Sequence, residues 1–195
     1  QQFDSITFGN ELKPAYNMDV TNKSGERTDT FLPFVINPSA KEMLDFAKDN
    51  GLKVRAHVLV WHSQNADEMF YVDYDTSKGY ASKDVVKARM TSYIDNTIKY
   101  MYENGYADVI YAWDVVNEAV EPGTNADNLR DSLYYQILGK DFLMYAFKQA
   151  RESVNKYSND FGGSKPALFY NDYNEFQKEK CDAIIELLTP VKEAG

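Results

Sequence analysis

The chain has 195 residues, a formal net charge of −9 and a single cysteine. That length suits one domain with a substantial core. Acids and bases are interspersed, so the clustered Lys and Arg that hold phosphates are missing and no nucleic acid is expected as a partner; Cys181 alone rules out an intrachain disulfide.

No run of about 18 apolar residues occurs, and the opening "QQFDSITF" lacks the basic and apolar parts of a signal peptide. The expectation is a chain that neither spans a membrane nor carries its own export signal. Tyr and Phe are plentiful, at 15 and 11, which suits core packing first and sugar stacking second.

Four apolar stretches read as strands: "FDSITF" (3–8), "KVRAHVLVW" (53–61), "DVIYAWDVV" (108–116) and "ALFYND" (167–172). Their β-branched and aromatic content, with few polar breaks, fits strands covered on both faces. Helical periods lie between them. Ser39 with Glu42 three residues on reads as a capping box, followed by a stripe of Ala40, Met43, Leu44 and Ala47 that Gly51 stops. From Ser82 to Gly105, Val86, Met90, Tyr93, Ile94, Ile98 and Met101 keep the helical spacing. A third helix is expected from about Asp141 to Asn155, with Phe142, Leu143, Ala146, Phe147 and Ala150 inward. A fourth, from about Phe176, carries Ile184, Ile185 and Leu188, and Pro190 is expected to kink or end it.

Strand-then-helix units in series imply right-handed crossovers and a parallel sheet. Four parallel strands cannot close on themselves, so a doubly wound sheet and part of a (β/α)8 barrel both fit. No Gly-rich turn of the G-x-G-x-x-G kind follows any strand, which weakens the nucleotide-binding version.

Each expected strand ends in polar or aromatic groups: "GNELK", "WHSQ", "NE" and "NDYN" in turn. In a parallel barrel such ends converge on one mouth, where the chemistry gathers. Glu118 is the sharpest case, an acid at the rim of a buried strand. A carboxyl among apolar groups such as Trp113 has its charged form disfavoured, which suits a proton donor. Capping the next helix or pairing with a Lys is the alternative for a lone strand-end Glu; the other three polar strand ends shift the balance toward function. Asn117 beside it can donate and accept, which suits gripping a hydroxyl.

His57 and His62 are the only histidines. Strand alternation places Arg55, His57, Leu59 and Trp61 on one side and His62 on the other, so the pair makes a poor metal site and no metal or cofactor is expected. His57 reads equally as a satisfied core histidine or a substrate contact. No G-x-S-x-G turn occurs, and Cys181 falls inside a helix, so a nucleophilic triad is poorly supported.

Taken in order, "ITFGNELK", "VRAHVLVWHSQ", "YAWDVVNEAV" and "LFYNDYN" resemble glycoside hydrolase family 10, the endo-β-1,4-xylanases, and "LRDSLYYQILGKDFLMYAFKQARE" adds to the likeness. The resemblance implies an α/β fold, a (β/α)8 TIM barrel of which about four βα units, strands two to five, are present, with residues 1–195 forming part of a catalytic barrel domain. It implies retaining hydrolysis of internal xylan linkages, with Glu118 as general acid/base and Asn117 contacting a hydroxyl of the sugar being cleaved. Asn10, Lys13, His57, Trp61 and Gln64 would line the sugar subsites, with Tyr173 nearby. The expected partners are xylan, xylo-oligosaccharides and the remaining barrel segment, which would carry the nucleophilic Glu. The chain alone would then be inactive, and its substrate places the parent protein outside the cell. Two positions depart from the family pattern: Gly9, just before Asn10, where the family usually shows an acid or another larger residue, and Pro14, after Lys13, where a Trp is often seen. A non-catalytic carbohydrate-binding half-barrel and a cellulase- or mannanase-type barrel hydrolase are the alternatives.

Overall fold

The computed structural model describes residues 2–194. Four strands, β1 (Ser5–Thr7), β2 (Lys53–Trp61), β3 (Ile110–Asn117) and β4 (Ala167–Asn171), form one sheet in the order β1-β2-β3-β4. Every pairing is parallel. Each strand therefore lies beside its predecessor in the chain. A doubly wound sheet reverses direction at a switch point, so the unbroken order is that of a barrel wall.

Helices fill the crossovers: α1 (Pro14–Asn17), α2 (Pro38–Asp49), α3 (Lys83–Glu103), α4 (Leu133–Leu138), α5 (Phe142–Phe161) and α6 (Lys178–Glu193). Val54, Ala56 and Val60 of β2 and Val115 of β3 are sealed from solvent, as are Val86, Met90, Ile94 and Ile98 of α3 and Ala146, Ala150 and Val154 of α5. The long helices α3 and α5 are tied by polar bonds as well as packing. Asp95 of α3 accepts from Ser153 Oγ and Tyr157 Oη of α5, both at 2.7 Å.

The sheet is not equally buried throughout. β3 is covered along nearly its whole length, whereas β1 and β4 are half exposed. Among the described strands only β2 and β3 have neighbours on both edges, so burial on both faces, expected for all four strands, holds for the middle of the sheet alone.

Several helix boundaries differ from the sequence expectation. α2 is capped by Asn37, whose side chain accepts from Ser39 N at 2.9 Å and Ala40 N at 3.4 Å. Pro38, which needs no N–H partner, takes the first helical position, so Ser39 lies inside the helix and no capping box forms. Ser82 does cap α3, accepting from Val85 N. α5 runs six residues beyond Asn155, because Tyr157 prolongs the buried stripe of Val154, and it stops at Gly162 with φ +77°. Pro190 does not end α6: it sits in the last turn, where its missing N–H removes one helical bond, and the helix continues to Glu193. Of the apolar residues this helix carries, Ile185 is exposed. Among the described residues no helix is long and apolar enough to cross a membrane.

Candidate active site

Parallel register aligns the strand ends. Trp61 pairs with Asn117, and Asn117 with Asn171, so three strands finish on one row. Glu118 follows immediately, and its backbone turns sharply there with φ +53°. The turn is held from both sides, since Glu118 N donates to Asn171 O at 2.8 Å and its carbonyl accepts from Arg130 Nε at 3.0 Å.

The Glu118 carboxylate receives the indole N–H of Trp61, Nε1 to Oε2, at 3.0 Å. Trp61 is also where the first strand's loop arrives. Lys13 Nζ lies 4.9 Å from the centre of the Trp61 ring and donates to Asn10 Oδ1 at 2.8 Å and to Gln64 Oε1. Gln64 Nε2 in turn donates to Asn10 Oδ1 at 3.4 Å. The tight turn after Phe8 makes this possible, with Lys13 N bonded to Asn10 O at 2.9 Å. Lys13 is 9% exposed, buried for a lysine, yet two of its three ammonium protons have partners.

A second network lies on the sheet face of β2, β3 and β4. Asp114, 2% exposed, accepts from Arg55 Nε at 2.9 Å and Nη2 at 2.6 Å through one oxygen. Its other oxygen is 2.9 Å from His57 Nδ1. A carboxylate only accepts, so Nδ1 is the donor of this bond and Nε2 is not used by it. Arg55 Nη2 also donates to Asn171 Oδ1 at 3.2 Å, and Asn171 Nδ2 donates to Asn117 Oδ1 at 2.7 Å. One chain of bonds thus runs from His57 to Asn117. Asn117 is buried, and this network uses its oxygen but not its amide N–H₂.

Tyr173 joins from the fourth strand end, through Arg130. Arg130 Nη2 donates to the Tyr173 hydroxyl at 3.0 Å, and Lys180 Nζ stands 4.8 Å from the Tyr173 ring centre. The eight residues named from the sequence therefore form two linked groups: Asn10, Lys13, Trp61, Gln64 and Glu118 on one side, His57 and Asn117 on the other, with Tyr173 reaching the Glu118 backbone through Arg130.

His62 packs edge-on against Trp61, ring centres 5.9 Å apart. Its buried Nδ1 has no partner, and burial lowers its pKa from the ordinary 6.5, with Arg130 adding to the effect. The strict alternation expected along β2 is interrupted, because the register with β3 shifts between His57 and Val60. Among the described residues no cluster of three or more His, Cys, Asp or Glu is arranged to hold a metal ion.

Sequence reasoning missed Asp114, Asn171, Arg130 and Lys180. Asp114 carried a signal, an acid inside an apolar strand in the same motif as Glu118. Arg130 and Lys180 carried none, since a loop residue and a helical lysine acquire their partners only by folding. A groove of about 610 Å³ between α5, β4 and α6, lined by Met144, Phe147, Leu168, Tyr170, Leu188 and Val191, lies apart from these strand-end residues.

Sequential parallel strands whose C-terminal ends bring a carboxyl, an indole and side-chain amides to one row have the layout of a barrel enzyme, in which the chemistry gathers at the strand ends. The model of glycosyl hydrolase family 10 matches residues 1–195, and the chain belongs to that family. It is 36% identical over 187 residues to endo-1,4-beta-xylanase B of Butyrivibrio fibrisolvens, covering 95% of this chain and 27% of the relative. Endo-1,4-beta-xylanase A of Thermotoga maritima is 36% identical over 195 residues, covering 100% of this chain and 16% of its own length. Among solved structures, the CBM22-1–GH10 modules of Clostridium thermocellum endo-1,4-beta-D-xylanase 10B in complex with xylohexaose superpose with a TM-score of 0.85 at 30% identity, over 99% of this chain and 37% of that one. The intracellular xylanase of Thermoanaerobacterium saccharolyticum gives 0.78 at 30% identity, over 99% and 53%. The fold class is the (β/α)8 barrel, and the four strands here are part of its wall. The chain spans about a quarter or less of these two curated relatives and up to about half of these solved chains.

Proposed function

We propose that the protein containing this chain is an endo-β-1,4-xylanase that hydrolyses internal xylan linkages with retention, and that Glu118 is its general acid/base. The observation that carries this reading is the Glu118 carboxyl on the strand-end row, with Oε2 engaged by the Trp61 indole. Oε1 is then the oxygen that gives a proton to the departing sugar and later takes one from water. The other groups grip hydroxyls with what their internal bonds leave over: the Asn117 amide N–H₂, the third ammonium proton of Lys13, and Nε2 of His57.

Retention requires a second carboxylate about 5 to 5.5 Å from the first. Of the acids near other strand ends, Asp172 is sealed from solvent with both oxygens engaged, by Tyr170 and Lys180. We assign the nucleophile to a segment outside these 195 residues. The polypeptide alone then does not turn over, because an oxocarbenium-like state lacks its facing charge; turnover of xylan by the pure chain would refute this. Action on a polymer too large to enter a cell places the enzyme outside it, although one relative is described as intracellular.

Substitution tests the acid role in the enzyme that joins this chain to the rest of its barrel. Glu118→Gln should abolish cleavage of unactivated xylo-oligosaccharides by about 100-fold or more while sparing the first step on aryl xylosides with good leaving groups, which need no proton. Equal losses on both substrates would count against it. A panel of xylan, cellulose and mannan decides the substrate.

A further inference from the structure

The backbone just beyond the acid is fastened by side chains that no part of the proposed chemistry uses. The Tyr170 hydroxyl accepts from Ala119 N and from Val120 N, both at 2.9 Å, and donates to Asp172 Oδ2. Asp172 Oδ1 is paired with Lys180 Nζ at 2.9 Å, and the same ammonium donates to Val120 O. The two charged side chains are 0% and 7% exposed. Side chains from β4, the turn after it and α6 thus hold the N–H groups of Ala119 and Val120 and the carbonyl of Val120, just beyond Glu118.

Such an ion pair is an expensive way to stabilise a fold, because desolvation offsets most of the attraction and apolar replacements often serve as well. What it supplies is fixed geometry. Geometry is needed here, since Glu118 itself holds φ +53°, a left-handed conformation that a Glu adopts only when its surroundings impose it. A phenol with two lone pairs and one proton is saturated by two N–H donors and one carboxylate. Burial, and then the Asp172 charge, push the Tyr170 pKa well up, so the hydroxyl keeps its proton across the working pH range.

We propose that Tyr170, Asp172 and Lys180 form a positioning clamp that sets the direction of the Glu118 carboxyl by pinning residues 119 and 120, so that proton donation depends on a hydroxyl bonded to the backbone beyond the acid. Tyr170, Asp172 and Lys180 are positioning residues in this scheme. The inference rests on the reading of Glu118 as the acid.

Tyr170→Phe keeps the ring and removes the hydroxyl, leaving two buried N–H groups without an acceptor and the turn free to relax. In the enzyme joining this chain to the rest of its barrel, kcat/KM on xylo-oligosaccharides should fall about 10-fold or more, by analogy with a partial loss of general acid catalysis. The first step on an activated aryl xyloside should change by less than about 3-fold, since it needs no proton donor. In the Glu118→Gln background, Tyr170→Phe should add no further loss on xylo-oligosaccharides. Lys180→Gln, which retains an N–H for Val120 O, should show the same pattern to a smaller degree, and it carries the test if Tyr170→Phe does not fold. Equal losses on both substrates, no loss on either, or an additive loss in the double variant would overturn the clamp. If Glu118→Gln itself shows no dependence on the leaving group, the acid reading falls and takes the clamp with it.

Discussion

Asp114→Asn tests whether the buried carboxylate organises the sheet side of the cleft. The substitution keeps shape and volume but replaces one oxygen by a donor. If the new amide faces Arg55, two donors meet it and the bonds now at 2.9 and 2.6 Å are lost. If it faces His57, Nδ1 meets an amide N–H₂ in place of the carboxylate oxygen now at 2.9 Å and that bond is lost. Either orientation forfeits at least one charge-assisted bond, about 1.5 to 3 kcal/mol. The Arg55 side chain is 33% exposed, so water compensates part of its loss and the lower figure, about 1.5 kcal/mol, applies to stability. Urea unfolding followed by tryptophan fluorescence should show a lower midpoint at an unchanged slope. In the enzyme joining this chain to the rest of its barrel, a loss of about 1.5 kcal/mol carried into the transition state lowers kcat/KM on xylo-oligosaccharides by about 10-fold. A variant that unfolds within about 0.5 kcal/mol of the parent and keeps kcat/KM within about 2-fold would refute the assignment of Asp114 as the organiser of His57 and Arg55.

Two further outcomes concern stability. Because burial depresses the His62 pKa below 6.5, the unfolded chain binds the proton more readily than the folded one. The stability this contributes is complete above pH 6.5 and is lost as pH falls through the folded-state value; His62→Gln should flatten the fall of unfolding free energy just below pH 6.5, and parallel curves for parent and variant would count against it. Arg89, 0% exposed, donates to Asp29 O at 2.6 Å, Met69 O at 3.0 Å and Tyr71 O at 2.7 Å, and stacks over Tyr74. Arg89→Met leaves buried carbonyls unpaired and should cost about 3 kcal/mol or more in denaturant unfolding; a cost under about 1 kcal/mol would show that water replaces the guanidinium.

Much of the architecture was legible in local pattern. The runs "KVRAHVLVW" and "DVIYAWDVV" and the stripe from Val86 to Met101 were placed correctly because burial demands apolar residues at the period of the element, and a period is visible in one dimension. Ends were less legible. Whether Asn37 or Ser39 caps α2, and whether Tyr157 prolongs α5, depends on a neighbouring proline and on what the next turn packs against.

By itself the sequence determined that hydrophilic groups terminate each strand and that one of them is Glu118, since residue type and order are properties of the chain. Only the tertiary structure decided which of those groups meet. Parallel register brought Trp61, Asn117 and Asn171 to one row. It also drew in Asp114, Arg130 and Lys180, whose bonds to His57, the Glu118 carbonyl and the Val120 carbonyl span 57, 12 and 60 residues of chain. A hydrogen bond depends on distances of a few ångströms in space, and pairs that far apart in sequence acquire those distances only when the sheet has formed.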